Sequence, residues 1–276
     1  RVGWISSATY DMSRPEHRAE QVRFIHRHRL EKQDPTAAVS DPVEPIIYWI
    51  DPATPEWIRP WIIRGVDQWQ PAFEEAGFRA GIQAALLPED ADPDDIRFPT
   101  LRWNTSEQAG YSAIGPSTVD PRTGEILDAN QLYEAQMILG FRSGWRNLVD
   151  PQTAFELAAG VIDPSDHAHL AGVLSDQGLF LRAILGARGE LAPGDPLPDA
   201  YLGEAVRWVV MHEVGHTLGL RHNFRASTDT PLDRLHDREW VREHGLVSSV
   251  MDYHAPNVAP DGQDQGYFYS PVVGSA

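Results

Sequence analysis

Residues His212 to His222 read His-Glu-Val-Gly-His-Thr-Leu-Gly-Leu-Arg-His. They set three imidazoles, one carboxylate and one glycine at H-E-x-x-H-x-x-G-x-x-H spacing. Five specified positions arise by accident in a chain of this length with a probability on the order of 10⁻⁴. His212 and His216 are four residues apart, so on a helix they lie one turn apart on the same face. Two imidazole nitrogens so placed can reach one zinc at about 2.0–2.1 Å. Glu213 lies about 100° further round the helix, beside the metal but poorly aimed to bind it, which suits a general base. Gly219 is placed to end the helix, because glycine takes a positive φ without a Cβ penalty. The turn it makes brings His222 back as third ligand. Three protein ligands leave one position for water, the catalytic arrangement. A surface helix that merely carries histidines leaves Gly219 and His222 unexplained. A structural zinc site is usually closed by four ligands, often cysteine, and the chain has no cysteine.

The helix that must hold His212 and His216 is expected from about Asp199 to Leu218, with Ala205, Val209, His212 and His216 on one buried face. A proline-rich loop, 192–198, precedes it. Upstream, residues 45–51 read as a buried strand. Thr54 and Pro55 read as the N-cap and first position of a helix whose apolar stripe is Trp57, Trp61, Ile62, Val66, Trp69 and Phe73, ended by Gly77. Further strands are expected at 82–87, 96–103 and 125–132. Residues 110–119 form an extended segment in which Pro116 suits a sheet edge. Residues 133–190 read as mostly helical, and 223–276 as turn-rich with little regular structure. His26 and His28 lie in a basic run and His167 and His169 in a helical one; both pairs read more simply as surface residues than as ligands. The acidic turn 88–95 has ligand chemistry that suits Ca²⁺, though a solvated loop is the simpler reading.

The chain has 276 residues, 42% hydrophobic and 23% charged, enough for one large domain or two lobes around a cleft. No stretch approaches the roughly 20 apolar residues of a membrane span. The first residues, Arg1 onward, show no signal peptide and no starting methionine, as expected of a processed or excised piece of a larger parent protein. The net charge of −17 opposes nonspecific binding to nucleic acid or anionic membrane. Without cysteine the redox compartment is unreadable.

Downstream of the histidines comes Ser248-Ser-Val-Met251-Asp-Tyr253. Together with the eleven-residue motif, this resembles the metzincin clan of zinc endopeptidases. The resemblance implies that Met251 forms an apolar floor under the three imidazoles. It also implies that Tyr253 is a metal ligand or an oxyanion donor, as in astacins and serralysins. Asn223 follows the third histidine, where astacins carry glutamate and serralysins proline, so the chain is neither, nor a typical matrixin. Six segments together look like a bacterial family of zinc-dependent metzincin-like proteases: 29–32, 45–48, 69–77, 120–127, 212–224 and 249–253. That resemblance implies an α/β (α+β) fold in a single catalytic domain over 1–276. Residues 1–40 would be an N-terminal extension. Residues 41–219 would be an upper lobe, with a twisted mixed sheet and the zinc helix. Residues 220–276 would be an irregular lower lobe. It also implies an exported or surface-associated parent protein.

The expected chemistry is peptide-bond hydrolysis with Glu213 as general base and zinc on His212, His216 and His222. The partner is a polypeptide in extended conformation, paired with a sheet edge for which the clan points to Ser112, Ala113, Ile114 and Gly115. Residues 254–260 are expected to wall a side-chain pocket. Two other readings stand beside this one. A zinc amidase or deacetylase-like hydrolase acting on a non-protein substrate would use the same groups. A binding module could retain zinc with little turnover.

Overall fold

A computed structural model describes residues 3–13, 19–106, 113–135, 138, 169–192 and 195–274. Its centre is a five-stranded mixed sheet of order β4-β3-β5-β9-β6, where β3 is Ile46–Ile50, β4 Ile82–Leu86, β5 Thr100–Asn104, β6 Ala113–Ile114 and β9 Gln131–Glu134. The first four strands run parallel, and the two-residue β6 lies antiparallel against β9. The fold is thus α/β with a mixed sheet, as expected. Alternation along β3 turns Ile46, Tyr48 and Ile50 into the core. Two strands lie outside the main sheet, β7 (Ser117–Val119) and β8 (Ile126–Ala129), paired antiparallel. Pro116 falls in the break between β6 and β7, where no ladder N–H is needed.

The stretch read as one helix from Thr54 is two short ones, α1 (Arg59–Asp67) and α2 (Gln70–Glu75). Each has a proline at its second position, Pro60 and Pro71. Proline lacks the N–H of a helix interior and its ring clashes with the carbonyl four residues back, so it is tolerated only in a first turn. These prolines therefore set both starts. Ile58 stands at the N-cap of α1, not Thr54, which sits buried in the preceding turn and donates its N–H to Asp51 O.

Helix α3 (His169–Ala187) covers part of the region read as helical; His167 and residues 139–168 lie outside the described residues. Helix α4 (Asp199–Thr217) ends within a residue of the expected position. It differs from expectation in burial: from Tyr201 to Thr217 every residue except His216 is buried, so no single stripe is distinguished. A helix buried on all sides must be enclosed by partners, and α4 is, its polar Glu204, Arg207, His212 and Glu213 included. Helix α1 packs across it, the indole of Trp69 donates to Met211 O at 3.1 Å, and Phe268 and Tyr269 of the C-terminal segment close the remaining side. There Glu204 Oε2 accepts the N–H groups of Phe268 (2.7 Å) and Tyr269 (3.1 Å). Beyond α4 the chain is irregular, as expected, apart from α5 (Arg238–His244), capped by Asp237, whose side chain accepts the N–H of Trp240.

The N-terminal residues are woven into the molecule. Strands β1 (Ser6–Asp11) and β2 (Glu20–Ile25) form a hairpin. Before it, Ile5 N–H donates to Gly219 O at 2.7 Å and Arg221 N–H to Gly3 O at 2.9 Å. After it, His26 N–H donates to Ile5 O, and Arg27 pairs with the 124–126 segment beside β8. Among the described residues no helix is long and apolar enough to cross a membrane.

Removing the Glu204 carboxylate should leave two buried N–H donors without partners. Glu204→Ala is expected to cost about 2–6 kcal/mol of stability, from about 1–3 per orphaned group. Glu204→Gln, which keeps an acceptor oxygen, should cost clearly less. Urea unfolding of the two variants measures the difference, and equal losses would show that the acceptor is unimportant.

Candidate metal centre

Helix α4 ends in a turn closed by its own backbone. Gly219 N–H bonds His216 O and Leu220 N–H bonds Gly215 O, both at 2.9 Å, the paired bonds of a Schellman cap. The cap needs a left-handed residue, and Gly219 supplies φ +94°. A Cβ there would also lie 2.3 Å from His26 O. The last helical carbonyl, Thr217 O, is met by His28 Nε2 at 3.0 Å. His26 and His28 are therefore half-buried against the helix end, and the expectation of a surface run is corrected. The sequence carries no sign that the two ends of the chain meet here.

With the chain so turned, one nitrogen from each of His212, His216 and His222 lies within 4.8 Å of the others. His212 Nδ1 faces Val250 O at 2.8 Å and His216 Nδ1 faces Leu220 O at 2.9 Å. These carbonyls hold the Nδ1–H tautomer and leave each Nε2 lone pair directed inward, the outer-shell arrangement of a metal-ligating histidine. His212 is fully buried, and its Nε2 has no hydrogen-bond partner. An orphaned buried acceptor facing two further imidazoles fits the role of a metal ligand. Burial, with His216 second, holds the His212 imidazole well below its ordinary pKa, in the neutral form a metal requires. The donor set of three neutral imidazoles suits zinc.

The turn around Met251 is tied to all of this. Val250 supplies the carbonyl for His212, and Met251 O accepts the N–H of Asn223, next to His222, at 2.8 Å. The Met251 side chain is buried against Gly215, between the first two ligands. A Cβ on Gly215 would come 2.2 Å from Met251 Sδ. Tyr253 OH lies 2.6 Å from His222 Nε2, and its ring stacks on His212 at 4.9 Å. Burial raises the Tyr253 hydroxyl well above its ordinary pKa, so it keeps its proton. Phe224, largely exposed, stacks on His222.

Glu213 is 4% exposed. Burial pushes its carboxyl up to about 8, opposed by the N–H of Gly115, which donates to it. Gly115 belongs to the wall of a cavity of about 410 Å³ over the centre. Glu213, His216 and His222 line it together with the segment Ile114–Ser117 and with Ile5, His26 and Arg221. Ile114 and Gly115 thus face the cavity. Ala113, the first residue of β6, is buried and does not line it, and Ser112 lies outside the described residues. Residues 254–260 do not line it either, contrary to expectation. His254 turns inward against Trp208 and Tyr269, and the Asn257 amide is tied to Leu235 O and Tyr267 O.

The buried polar cluster behind the helix was not legible in the sequence. Thr217 Oγ1 meets Tyr48 OH at 2.7 Å and accepts from Gln131 Nε2 at 3.1 Å, while Tyr133 OH donates to Gln131. This joins β3 and β9 to the last turn of α4. In the acidic turn Asp94 pairs with Arg102 and Asp95 with Arg97. Among the described residues His212, His216 and His222 are the group that could hold a metal ion.

The fit of Met251 over Gly215 can be tested. Gly215→Ala should displace the methionine and lower stability by about 1–3 kcal/mol, the usual cost of overpacking. The double variant Gly215→Ala/Met251→Ala should cost less than the sum of its singles, because each change relieves the other. Additive losses in thermal unfolding would show that the two side chains are not in contact.

Two comparisons with known proteins give no match: no curated protein and no solved structure resembles the chain closely enough. A family model does match, over residues 194–275, and it is described as Met-zincin. That stretch contains α4, the Gly219 turn, all three histidines, Glu213, Met251 and Tyr253. Over residues 194–275, where the three imidazoles converge, the chain is thus similar to the Met-zincin family.

Proposed function

We propose that the chain is a zinc-dependent endopeptidase acting on polypeptide held in an extended conformation. The observation that carries this reading is the buried Glu213 carboxyl lining an open cavity, beside imidazoles whose lone pairs converge. Zinc held by His212, His216 and His222 would supply Lewis acidity, polarising a scissile carbonyl and lowering the pKa of water from 15.7 toward about 7.

The chain's own residues supply the rest. Glu213 accepts the proton of the attacking water and passes it to the leaving amine. Its affinity for that proton is raised by burial, which suits a group that must hold it between the two steps. Gly115 N–H steadies the carboxylate. Tyr253 keeps its hydroxyl proton and stands beside His222, where it can donate to the oxyanion that develops on the carbonyl. The segment Ile114–Ser117 offers the extended wall along which a substrate strand would lie. Calcium has no part in this scheme. The resemblance to exported bacterial proteases supports a parent protein that is exported or surface-associated.

The decisive variant is Glu213→Gln. Loaded with zinc, it should retain about one ion per chain, read by metal analysis, while its hydrolysis of casein falls by 10²-fold or more, as expected for a lost general base. Chelation should abolish cleavage by the parent chain, and zinc should restore it. Near-normal turnover by Glu213→Gln would overturn the mechanism. Hydrolysis of small acylated amides without any cleavage of protein would favour an amidase.

A further inference from the structure

The chain carries 40 acidic residues against 23 basic ones. Several of its arginines have acidic partners, as in Arg29–Glu31, Arg79–Asp41 and Arg122–Asp120. Arg221 is set apart by its place. It immediately precedes the third ligand and lines the cavity with Glu213, His216 and His222. Among the described residues no carboxylate pairs with it.

Arg221 N–H is bound to Gly3 O, and the aliphatic stem lies along Gly3, with Cδ 3.3 Å from where a Cβ on that residue would stand. The stem is thus laid against the N-terminal strand while the charged end stays at the cavity. The other lining groups bring no second fixed charge besides Glu213. His26 is engaged with the Ser7 hydroxyl at 2.7 Å, and burial lowers its basicity. Ile5, Ile114 and Pro116 are apolar. Guanidinium meets carboxylate in bidentate, charge-assisted hydrogen bonds that lysine does not reproduce. In a cleft that a bound peptide would shield from water, such a pair gains strength over one on the open surface.

We propose that Arg221 is a specificity-determining residue that receives a carboxylate of the substrate in the cleft beside the metal ligands. The carboxylate belongs to an Asp or Glu side chain near the scissile bond or to the end of the substrate chain. This rests on the peptidase reading and names the substrate class within it.

The test uses the zinc-loaded chain and fluorogenic peptides in pairs that differ by one Glu/Gln exchange, scanned through the positions around the cleaved bond. Each pair is made with a free and with an amidated C-terminus. At one position the Glu peptide should exceed its Gln partner about tenfold in kcat/KM, in line with a hydrogen bond to a charged group. For a side-chain carboxylate, amidation leaves that ratio in place. For a terminal carboxylate, amidation itself lowers the rate and the Glu/Gln ratios are flat. Arg221→Gln should bring the discriminating ratio near one, and Arg221→Glu should turn preference toward lysine. A binding arm reads the same ratio without turnover, as peptide affinity to Glu213→Gln with and without Arg221→Gln. Cleavage with no carboxylate preference, or a preference that survives Arg221→Gln, overturns the proposal alone. Peptide bound with the expected preference but never cleaved overturns the peptidase reading alone. Neither cleavage nor binding overturns both.

Discussion

Everything at the centre depends on a hydrogen bond that buries a neutral imidazole. His212 sits without solvent contact inside a buried helix. There an unpaired N–H would cost as much as a lost hydrogen bond and a charged ring far more. Val250 O takes the Nδ1 proton and settles both matters, since it satisfies the donor and fixes which nitrogen remains available. The turn at Met251 must therefore stand where it does. Its placement is secured from the far side by Val250 N–H to Val273 O and by the pairing of Ser249 with Gly274. His216 repeats the arrangement with Leu220 O, which only the Gly219 reversal brings within reach.

The same enclosure sets the acid chemistry. A buried helix wrapped by α1, the sheet and the C-terminal segment gives Glu213 few groups to stabilise its charge, so the proton is retained to higher pH than in water. The Gly115 N–H limits that rise. Burial thus does two jobs with opposite chemical sign: it keeps the His212 imidazole neutral and keeps the Glu213 carboxyl able to hold a proton.

How much of this was legible in the sequence divides along physical lines. The ligands and base could be read because their geometry is local: four residues make one helical turn, and glycine alone turns the chain cheaply. The sheet was legible through buried runs such as Ile46–Ile50. The start of α1 was misread because Thr54 and Pro55 imitate a cap, when Pro60 decides the matter from inside. The polar cluster of Tyr48, Gln131 and Thr217 and the wall of Ile5, His26 and Arg221 were not legible, since each joins residues that only the folded topology brings together. The buried faces of α4 showed the same limit, because periodicity reports one stripe and cannot show that three partners enclose the helix.

The pairing of Gly3–Ile5 with Gly219–Arg221 bears on the order in which the molecule forms. The partners are separated by most of the chain, and closing so large a loop carries an entropic cost that local contacts do not. The hairpin of β1 and β2 can pair locally, but Gly3 and Ile5 can meet Gly219 and Arg221 only once the chain has been made that far. His222 lies one residue beyond that pairing, so the third arm of the centre depends on the same long-range closure. A chain made only as far as α4 would carry the paired histidines of that helix but neither the third imidazole nor a completed cleft.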